Sequence, residues 1–468
     1  MKHLFIPLLI LLGSFAVNAN TETNYDFKFK VINEKDSDCF LGSYFGDKEY
    51  VQDTTKIDPQ GNFEFKGDKE LPGGVYFILF KNKKYFEFIV DKNQHFSMQT
   101  DTTDFIKNMQ VKDSKDNKLF YEYLNYIAAK AKIVDPLRKK LASTKNKDSI
   151  KIIDKQLSAA DKEVYKYKTK YIEDYPETFL AKIFITSEDP IVPEAPKLAD
   201  GKKDSLFAFR YYKSHYFDKV DFSDARLIRT PIMASKLKEY LGKLTLQTPD
   251  SLDAAADYLS EKARANKEMF KFVVNYITST YETSNIMGMD AIFVHMVQKY
   301  YATGQAFWID STQLYRITER AKTLAPILIG KKAPELILSD TSGYIIPLDS
   351  VKAKFTIVYF WDYDCGFCKK VTPKLLAWYQ KAKSKNIKVY AVQTNDGIAP
   401  WKKYIDENKL NWINVSDKYH QSGLHQTYDV YSTPVIYLLD ENKIIVAKRL
   451  DVQQLNDLLK NKYKIDVE

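Results

Sequence analysis

From Asn24 to about Phe105 hydrophobic and polar positions alternate. Phe27, Phe29 and Val31 are separated by Lys28 and Lys30, and Phe63 and Phe65 follow the turn residues Asp58-Pro59-Gln60-Gly61-Asn62. VYFILF (75–80) and YFEFIV (85–90) flank a KNKK turn. A period of two broken by short turns predicts strands paired antiparallel, with one face packed and the other solvated. Residues 24–105 therefore read as a small antiparallel β domain.

Between about Ile106 and Leu328 the period becomes helical. Leu119, Tyr123 and Ile127 fall at i, i+4 and i+8, and Phe270, Val273, Val274 and Ile277 trace a second apolar stripe. The Pro-rich DPIVPEAP (189–196) interrupts the pattern, and Thr248-Pro249-Asp250-Ser251 is a helix start. The methionines and His295 of IMGMDAIFVHMVQKYY (286–301) invite a metal-box reading. Helical spacing instead distributes them over the sides of a packed helix. Residues 106–328 read as an all-α domain.

From about Ile329 the texture becomes α/β. KFTIVYFW (354–361) is an unbroken apolar run of the kind buried on both faces, and a helical pattern follows it through Lys383. IKVYAV (387–392), VIYLL (435–439) and IIVAK (444–448) are further strands, the last two joined by an Asp440-Glu441-Asn442-Lys443 turn, and a final helix spans about 452–462. Such an order predicts a mixed central sheet with helices on both faces over residues 329–468.

The first residues change the compartment. Lys2 precedes an apolar run of 14 residues, Leu4–Val17, which contains Pro7 and Gly13 and gives way to small residues ending at Ala19. A spanning helix needs about 20 apolar residues. The segment reads as a signal peptide, residues 1–19, cut after Ala19, and the mature protein is expected to be soluble and periplasmic. The net charge of +9 is spread among interleaved acids and bases, as in KNKDSIKIIDK, so it describes a solvated surface and excludes a nucleic-acid footprint.

Cysteine usage narrows the chemistry. A secreted structural framework uses an even, dispersed set, whereas here Cys39 stands alone and Cys365 and Cys368 form a CxxC. Zinc would require four ligands, and the six histidines are scattered, so neither metal nor cofactor is expected. Cys39, between Asp38 and Phe40, reads as a buried structural thiol. The CxxC follows a buried strand and opens a helix. There the unpaired N–H groups and the macrodipole favour a thiolate on Cys365. Cys368, one turn on, can resolve a mixed disulfide formed by Cys365. A purely structural disulfide at this spacing would close too short a loop to add much stability.

FWDYDCGFCKKVTP, with Trp361 four residues before the first cysteine and Pro373 eight after it, resembles the thioredoxin superfamily. The Ala333-Pro334 lead-in and the SDTSG hairpin resemble its TlpA/ResA-like branch, and YSTPVIYLLD supplies the matching Thr433-Pro434. The resemblance implies a cis peptide at Pro434 facing the cysteines, and substrate contacts at Trp361, Thr433 and Pro434. The β segment and the stretches HYFDKVDFSDARLIRTP and IMGMDAIFVHMVQKYY are similar to the accompanying domains of multidomain Bacteroidetes thioredoxin-like proteins. Implied partners are protein thiols and disulfides of the cell envelope and a membrane electron donor.

Two positions depart from that pattern. Tyr359 stands six residues before Cys365, where many thioredoxins carry a buried Asp, and Val371 six after it, where TlpA/ResA-like members often carry Glu. Either carboxylate would accept the proton of the second cysteine. The adjacent Asp364 is expected to disfavour the Cys365 thiolate, which would put the potential nearer to about −270 mV than to about −120 mV and the direction toward reduction or isomerisation. A different class of reading is a partner-binding protein of the cell envelope that uses the thioredoxin unit as a docking module.

Overall fold

In the computed structural model, which describes residues 23–35, 37–417 and 422–467, the alternating segment forms β1 (Tyr25–Ile32), β2 (Asp38–Phe45), β3 (Lys48–Lys56), β4 (Asn62–Gly67), β5 (Gly74–Phe80), β6 (Tyr85–Val90), β7 (His95–Asp101) and β8 (Gln110–Lys112). The signal peptide expected over residues 1–19 lies outside the described residues. Two four-stranded sheets result, ordered β4-β1-β7-β8 and β3-β2-β5-β6. Their pairings are antiparallel apart from β1 with β7, which run parallel with Asp26 opposite His95. The alternation has its cause in the core. Phe27 stacks on Phe96 at 4.7 Å and Phe29 on Phe63 at 5.2 Å, and both approach Phe88, while Lys28 and Lys30 face water.

The helices that follow are α1 (Lys115–Ser143), α2 (Lys147–Asp174), α3 (Phe179–Ser187), α4 (Phe207–His215) and α5 (Pro231–Glu239). Asn117 ties α1 to the edge of β6: its Nδ2 donates to Ile89 O at 2.8 Å and its Oδ1 accepts Ile89 N–H at 2.7 Å. Those two bonds satisfy an otherwise open strand edge from a fully buried side chain. The chain divides into two compact units between Leu237 and Lys238, within α5.

The second unit begins with α6 (Pro249–Ala263), α7 (Lys267–Glu282), α8 (Asp290–Met296) and α9 (Ser311–Leu324). The apolar stripe of α7 is buried, as are Met289, Ile292 and Met296 around α8. His295 is engaged by acids: its Nε2 lies 2.9 Å from Asp257 Oδ1, and Asp257 also pairs with Lys299 at 2.8 Å. Its sheet comprises β9 (Ile337–Ser339), β10 (Ile345–Pro347), β11 (Phe355–Trp361), β12 (Ile387–Gln393), β13 (Ile413–Ser416), β14 (Val435–Asp440) and β15 (Ile445–Lys448), in the order β10-β9-β13-β12-β11-β14-β15. β11 is central, parallel to β12 and antiparallel to β14, and every residue of it is buried. The remaining helices are α10 (Gly366–Ala382), α11 (Ile398–Asn408), α12 (Leu424–Thr427) and α13 (Val452–Tyr463). No helix among the described residues is long and apolar enough to cross a membrane.

Cys39 sits on β2 with no exposed surface. Burial, with Asp38 and Glu34 adding to it, pushes its thiol up to about 12. The folded thiol therefore holds its proton more tightly than the unfolded one. Its contribution to stability is complete below about pH 8.5 and is lost as the pH rises toward 12. Cys39→Ala is expected to cost about 1 kcal/mol and to change thiol-exchange rates by less than about twofold. Its alkaline loss of stability, measured by denaturation between pH 8 and 11, should be shallower than that of the native chain; a large loss of turnover with unchanged folding would refute the structural role.

Candidate active site

β11 ends at Trp361, and a tight turn carries the chain into α10. Asp362 organises the turn: its Oδ1 accepts Asp364 N–H at 2.8 Å, its backbone carbonyl accepts Cys365 N–H at 3.3 Å, and both carboxylate oxygens lie 3.2 Å from Asn395 Nδ2. Cys365 is thereby placed at the N-cap of α10, where its Sγ accepts the N–H of Cys368 at 3.4 Å. Capping positions normally use an oxygen for this purpose. A sulfur there meets the unpaired donors of the first turn.

The opposite wall is the loop before β14. The Thr433–Pro434 peptide is cis, and the Thr433 carbonyl lies 3.3 Å from Cys365 Sγ, positioned to accept the S–H of the thiol. Both cysteines are unpaired; Cys365 is partly exposed and Cys368 is buried. Trp361, Thr433 and Pro434 were expected to contact substrate. The Thr433 carbonyl stands beside the sulfur, with Pro434 joined to it through the cis peptide. Trp361 does not present itself to a substrate: it is fully buried, parallel to Tyr359 at 6.2 Å and against Tyr404 at 5.4 Å. As the last residue of a strand buried on both faces, its indole supports the turn from beneath.

The two thiols are electrostatically unequal. For Cys365 burial acts upward, but the Thr433 hydroxyl and the N–H groups of Cys368 and Phe367 stabilise the thiolate, and the net position is below the ordinary value of 9. For Cys368 burial dominates, with Cys365 adding to it, and the thiol is pushed up to about 12. The expectation that Asp364 would destabilise the Cys365 thiolate is thus corrected. The Asp364 carboxylate points to solvent and pairs with Lys369 Nζ at 3.1 Å, so direct donors to the sulfur outweigh a screened neighbour.

Where a buried acid was absent from the sequence, the Tyr359 hydroxyl bonds Thr372 Oγ1 at 2.8 Å inside the core. Burial holds that phenol far above its ordinary range, so it cannot serve as a base. Two further residues went unnoticed in the sequence. Phe367, between the cysteines, is 71% exposed, and Tyr431, two residues before Thr433, is 69% exposed. Aromatic residues next to a reactive sulfur and its facing loop were the available signal. Among the described residues no group of His, Cys, Asp and Glu could hold a metal ion.

Parts of the chain are similar to known proteins. Residues 329–448 match the AhpC/TSA family, residues 182–325 a domain of unknown function (DUF5106) and residues 25–120 another (DUF4369). A thiol-disulfide oxidoreductase ResA of Bacillus cereus is 28% identical over 130 residues, which is 28% of this chain and 74% of that protein. ResA of Bacillus subtilis (strain 168) is 29% identical over 117 residues, 25% of this chain and 64% of that protein. The crystal structure of a domain of possible thiol-disulfide isomerase from Cytophaga hutchinsonii ATCC 33406 is 45% identical, covering 30% of this chain and 96% of that one with a TM-score of 0.29. A thioredoxin-like protein from Bacteroides caccae ATCC 43185 is 19% identical, covering 58% and 98% with a TM-score of 0.45. Through its C-terminal part the chain belongs to the thioredoxin-like thiol-disulfide oxidoreductases, with domains of unknown function preceding that part.

The inequality of the thiols has a direct readout. Iodoacetamide should label the reduced chain first at Cys365, with a rate that rises through an apparent pKa below 9. Cys368 should stay unlabelled until the pH approaches 12. Peptide mapping of the alkylated protein across pH 5–10 checks this, and labelling of Cys368 ahead of Cys365 would contradict it.

Proposed function

We propose that the protein is a periplasmic thiol-disulfide oxidoreductase working in the reductase or isomerase direction on envelope proteins, with Cys365 as the attacking and Cys368 as the resolving residue of its CGFC motif. The observation that carries this reading is the Cys365 sulfur at the α10 N-cap, bonded by Cys368 N–H and facing the Thr433 carbonyl. The leader read at residues 1–19 supports the compartment. We read the domains as 24–105, 106–328 and 329–468; the matches at 182–325 and 329–448 favour the boundary at 328/329, while the match at 25–120 runs past 105.

The Cys365 thiolate attacks one sulfur of a substrate disulfide. A mixed disulfide forms, and the other substrate sulfur leaves as a thiolate that takes up a proton. Cys368 then loses its proton and attacks Cys365 Sγ. The second substrate sulfur departs, and the protein is left with a Cys365–Cys368 disulfide. Two electrons have passed to the substrate, so a thiol reductant, supplied by a membrane electron donor, restores the dithiol. In isomerisation a freed substrate thiolate displaces Cys365 instead, and no net electrons move. Thr433 and Pro434 would line the extended substrate segment, with Phe367 and Tyr431 offering apolar contact beside it.

The lowered Cys365 pKa stabilises the reduced form and moves the potential up from what Asp364 suggested. The CGFC turn, however, contributes no histidine donor of its own. A potential between about −270 and about −170 mV is expected, compatible with reduction or isomerisation and below the range of a dedicated oxidant. Equilibration with glutathione buffers measures it. Cys368→Ser should accumulate mixed disulfides with envelope proteins and Cys365→Ser should not, while insulin reduction should be abolished in Cys365→Ser. Equal trapping through Cys368, or a potential above about −170 mV, would overturn the assignment.

A further inference from the structure

The loop that brings Thr433 to the sulfur is held by a charged side chain that lies outside the AhpC/TSA match. Asp429 is four residues before Thr433, and its carboxylate is 2% exposed. Both of its oxygens are occupied. Arg320 of α9 binds bidentately, Nη1 to Oδ1 and Nη2 to Oδ2, the latter at 3.1 Å. Arg449, just after β15, donates from Nη2 to Oδ2 at 2.5 Å and to the Asp429 carbonyl at 3.2 Å. Asp429 itself adopts a left-handed conformation, φ 54°, so the backbone turns sharply at the clamped residue.

The clamp reaches the active site over a short span. Val430 is buried, and its carbonyl lies 2.7 Å from His425 Nδ1. On the other side of Asp429, Tyr428 is fully buried; its hydroxyl bonds Pro334 O and its carbonyl accepts the Tyr437 hydroxyl at 2.8 Å. Only Tyr431 and Ser432 lie between this anchored stretch and Thr433, so the position of the Thr433 hydroxyl and carbonyl follows from the anchoring of Asp429. Arg320 belongs to the stretch matched by DUF5106 (182–325) and Asp429 to the AhpC/TSA match (329–448).

We infer that Arg320 is a positioning residue for the reaction at Cys365: by clamping Asp429 it holds the Thr433 loop against the sulfur, so that the helical segment sets the reactivity of the dithiol. This rests on Cys365 being the attacking residue. It also gives the DUF5106 segment a task in the chemistry that its sequence does not announce. A bidentate guanidinium fixes orientation as well as charge, which a lysine can only partly reproduce. A second contact supplies the control. Lys448 Nζ pairs with Asp290 Oδ2 at 2.5 Å and donates to Ile327 O at 2.8 Å, joining the same two stretches of chain without touching the Thr433 loop.

The test is the pH profile of Cys365 alkylation by iodoacetamide in the full chain. Arg320→Ala should move the profile to higher pH and slow labelling at pH 7 by about threefold or more. Arg320→Lys should recover part of the loss. Asp290→Asn, compared at a similar fall in Tm, should leave the profile in place. Should Arg320→Ala not fold, Arg320→Gln removes the charge while keeping a donor and is judged by the same criterion. An unshifted profile in a folded Arg320 variant, or an equal shift in Asp290→Asn, overturns the inference while leaving Cys365 as the nucleophile. Wild-type Cys365 labelling no faster than a free cysteine peptide would overturn the active-site reading itself, and this inference with it.

Discussion

The site depends on the antiparallel pairing of β11 with β14. In that register Phe360 lies opposite Val435, so the end of one strand and the start of the other occupy the same edge of the sheet. The chain leaving Trp361 and the chain arriving at Val435 must then meet, although Cys365 and Thr433 are 68 residues apart. Burial enforces the register: every residue of β11 is enclosed, and a slip by one would exchange the two packed faces of a strand whose side chains differ in size. The meeting of sulfur and cis-proline loop is thus fixed by core packing, and the turn at Asp362 supplies only the last few ångströms.

Around that frame the polar groups divide labour. Near the sulfur, beside the accepting Thr433 carbonyl, the donors of the Thr433 hydroxyl and the first turn of α10 favour the Cys365 thiolate without a full positive charge beside it. Behind the site, in the core, the Tyr359–Thr372 hydroxyl pair satisfies itself and stays neutral. Apart from the Asp362 carboxylate in the turn and the solvent-facing Asp364–Lys369 pair, formal charges form the Asp429 and Asp290 clusters, where arginine and lysine answer buried or half-buried carboxylates. A carboxylate as enclosed as Asp429 is tolerated only when both oxygens are paired, and the two arginines that pair it come from chain segments far apart in sequence.

How much was legible in advance follows from the range of each interaction. Strands with a packed face announced themselves, from Phe27 and Phe29 to the apolar run of β11, and the cysteine spacing announced the helix start. β3 did not, because KEYVQDTTK is almost wholly exposed and carries no alternation to read. The parallel β1–β7 pair was likewise hidden, since a period of two fixes the facing of a strand and not its neighbour. Trp361 was legible as a landmark of the motif, but whether its ring turned to substrate or core depended on the second packed face of β11. Asp364 misled because adjacency along the chain says nothing of where a side chain points. Arg320 and Asp429, 109 residues apart, leave no local pattern at all.

The inequality of the two thiols also orders the chemistry in time. With Cys365 as thiolate, Cys368 is held protonated by burial and by the neighbouring charge. Once Cys365 enters a mixed disulfide that charge is gone, and the part of the barrier it imposed disappears. Burial, the larger cause, remains. Thioredoxin-like sites with a buried carboxylate offer an acceptor at this moment, whereas here position 359 is a tyrosine that stays protonated and position 371 a valine. The Cys368 proton must therefore leave by way of the substrate thiolate or of solvent reaching the opened turn. In the proposed mechanism resolution by Cys368 is expected to be the slower step, because burial keeps its thiol protonated and no buried carboxylate takes the proton. A mixed disulfide that outlasted its formation would give a second substrate thiol time to attack, the step that separates isomerisation from simple reduction in the proposed mechanism.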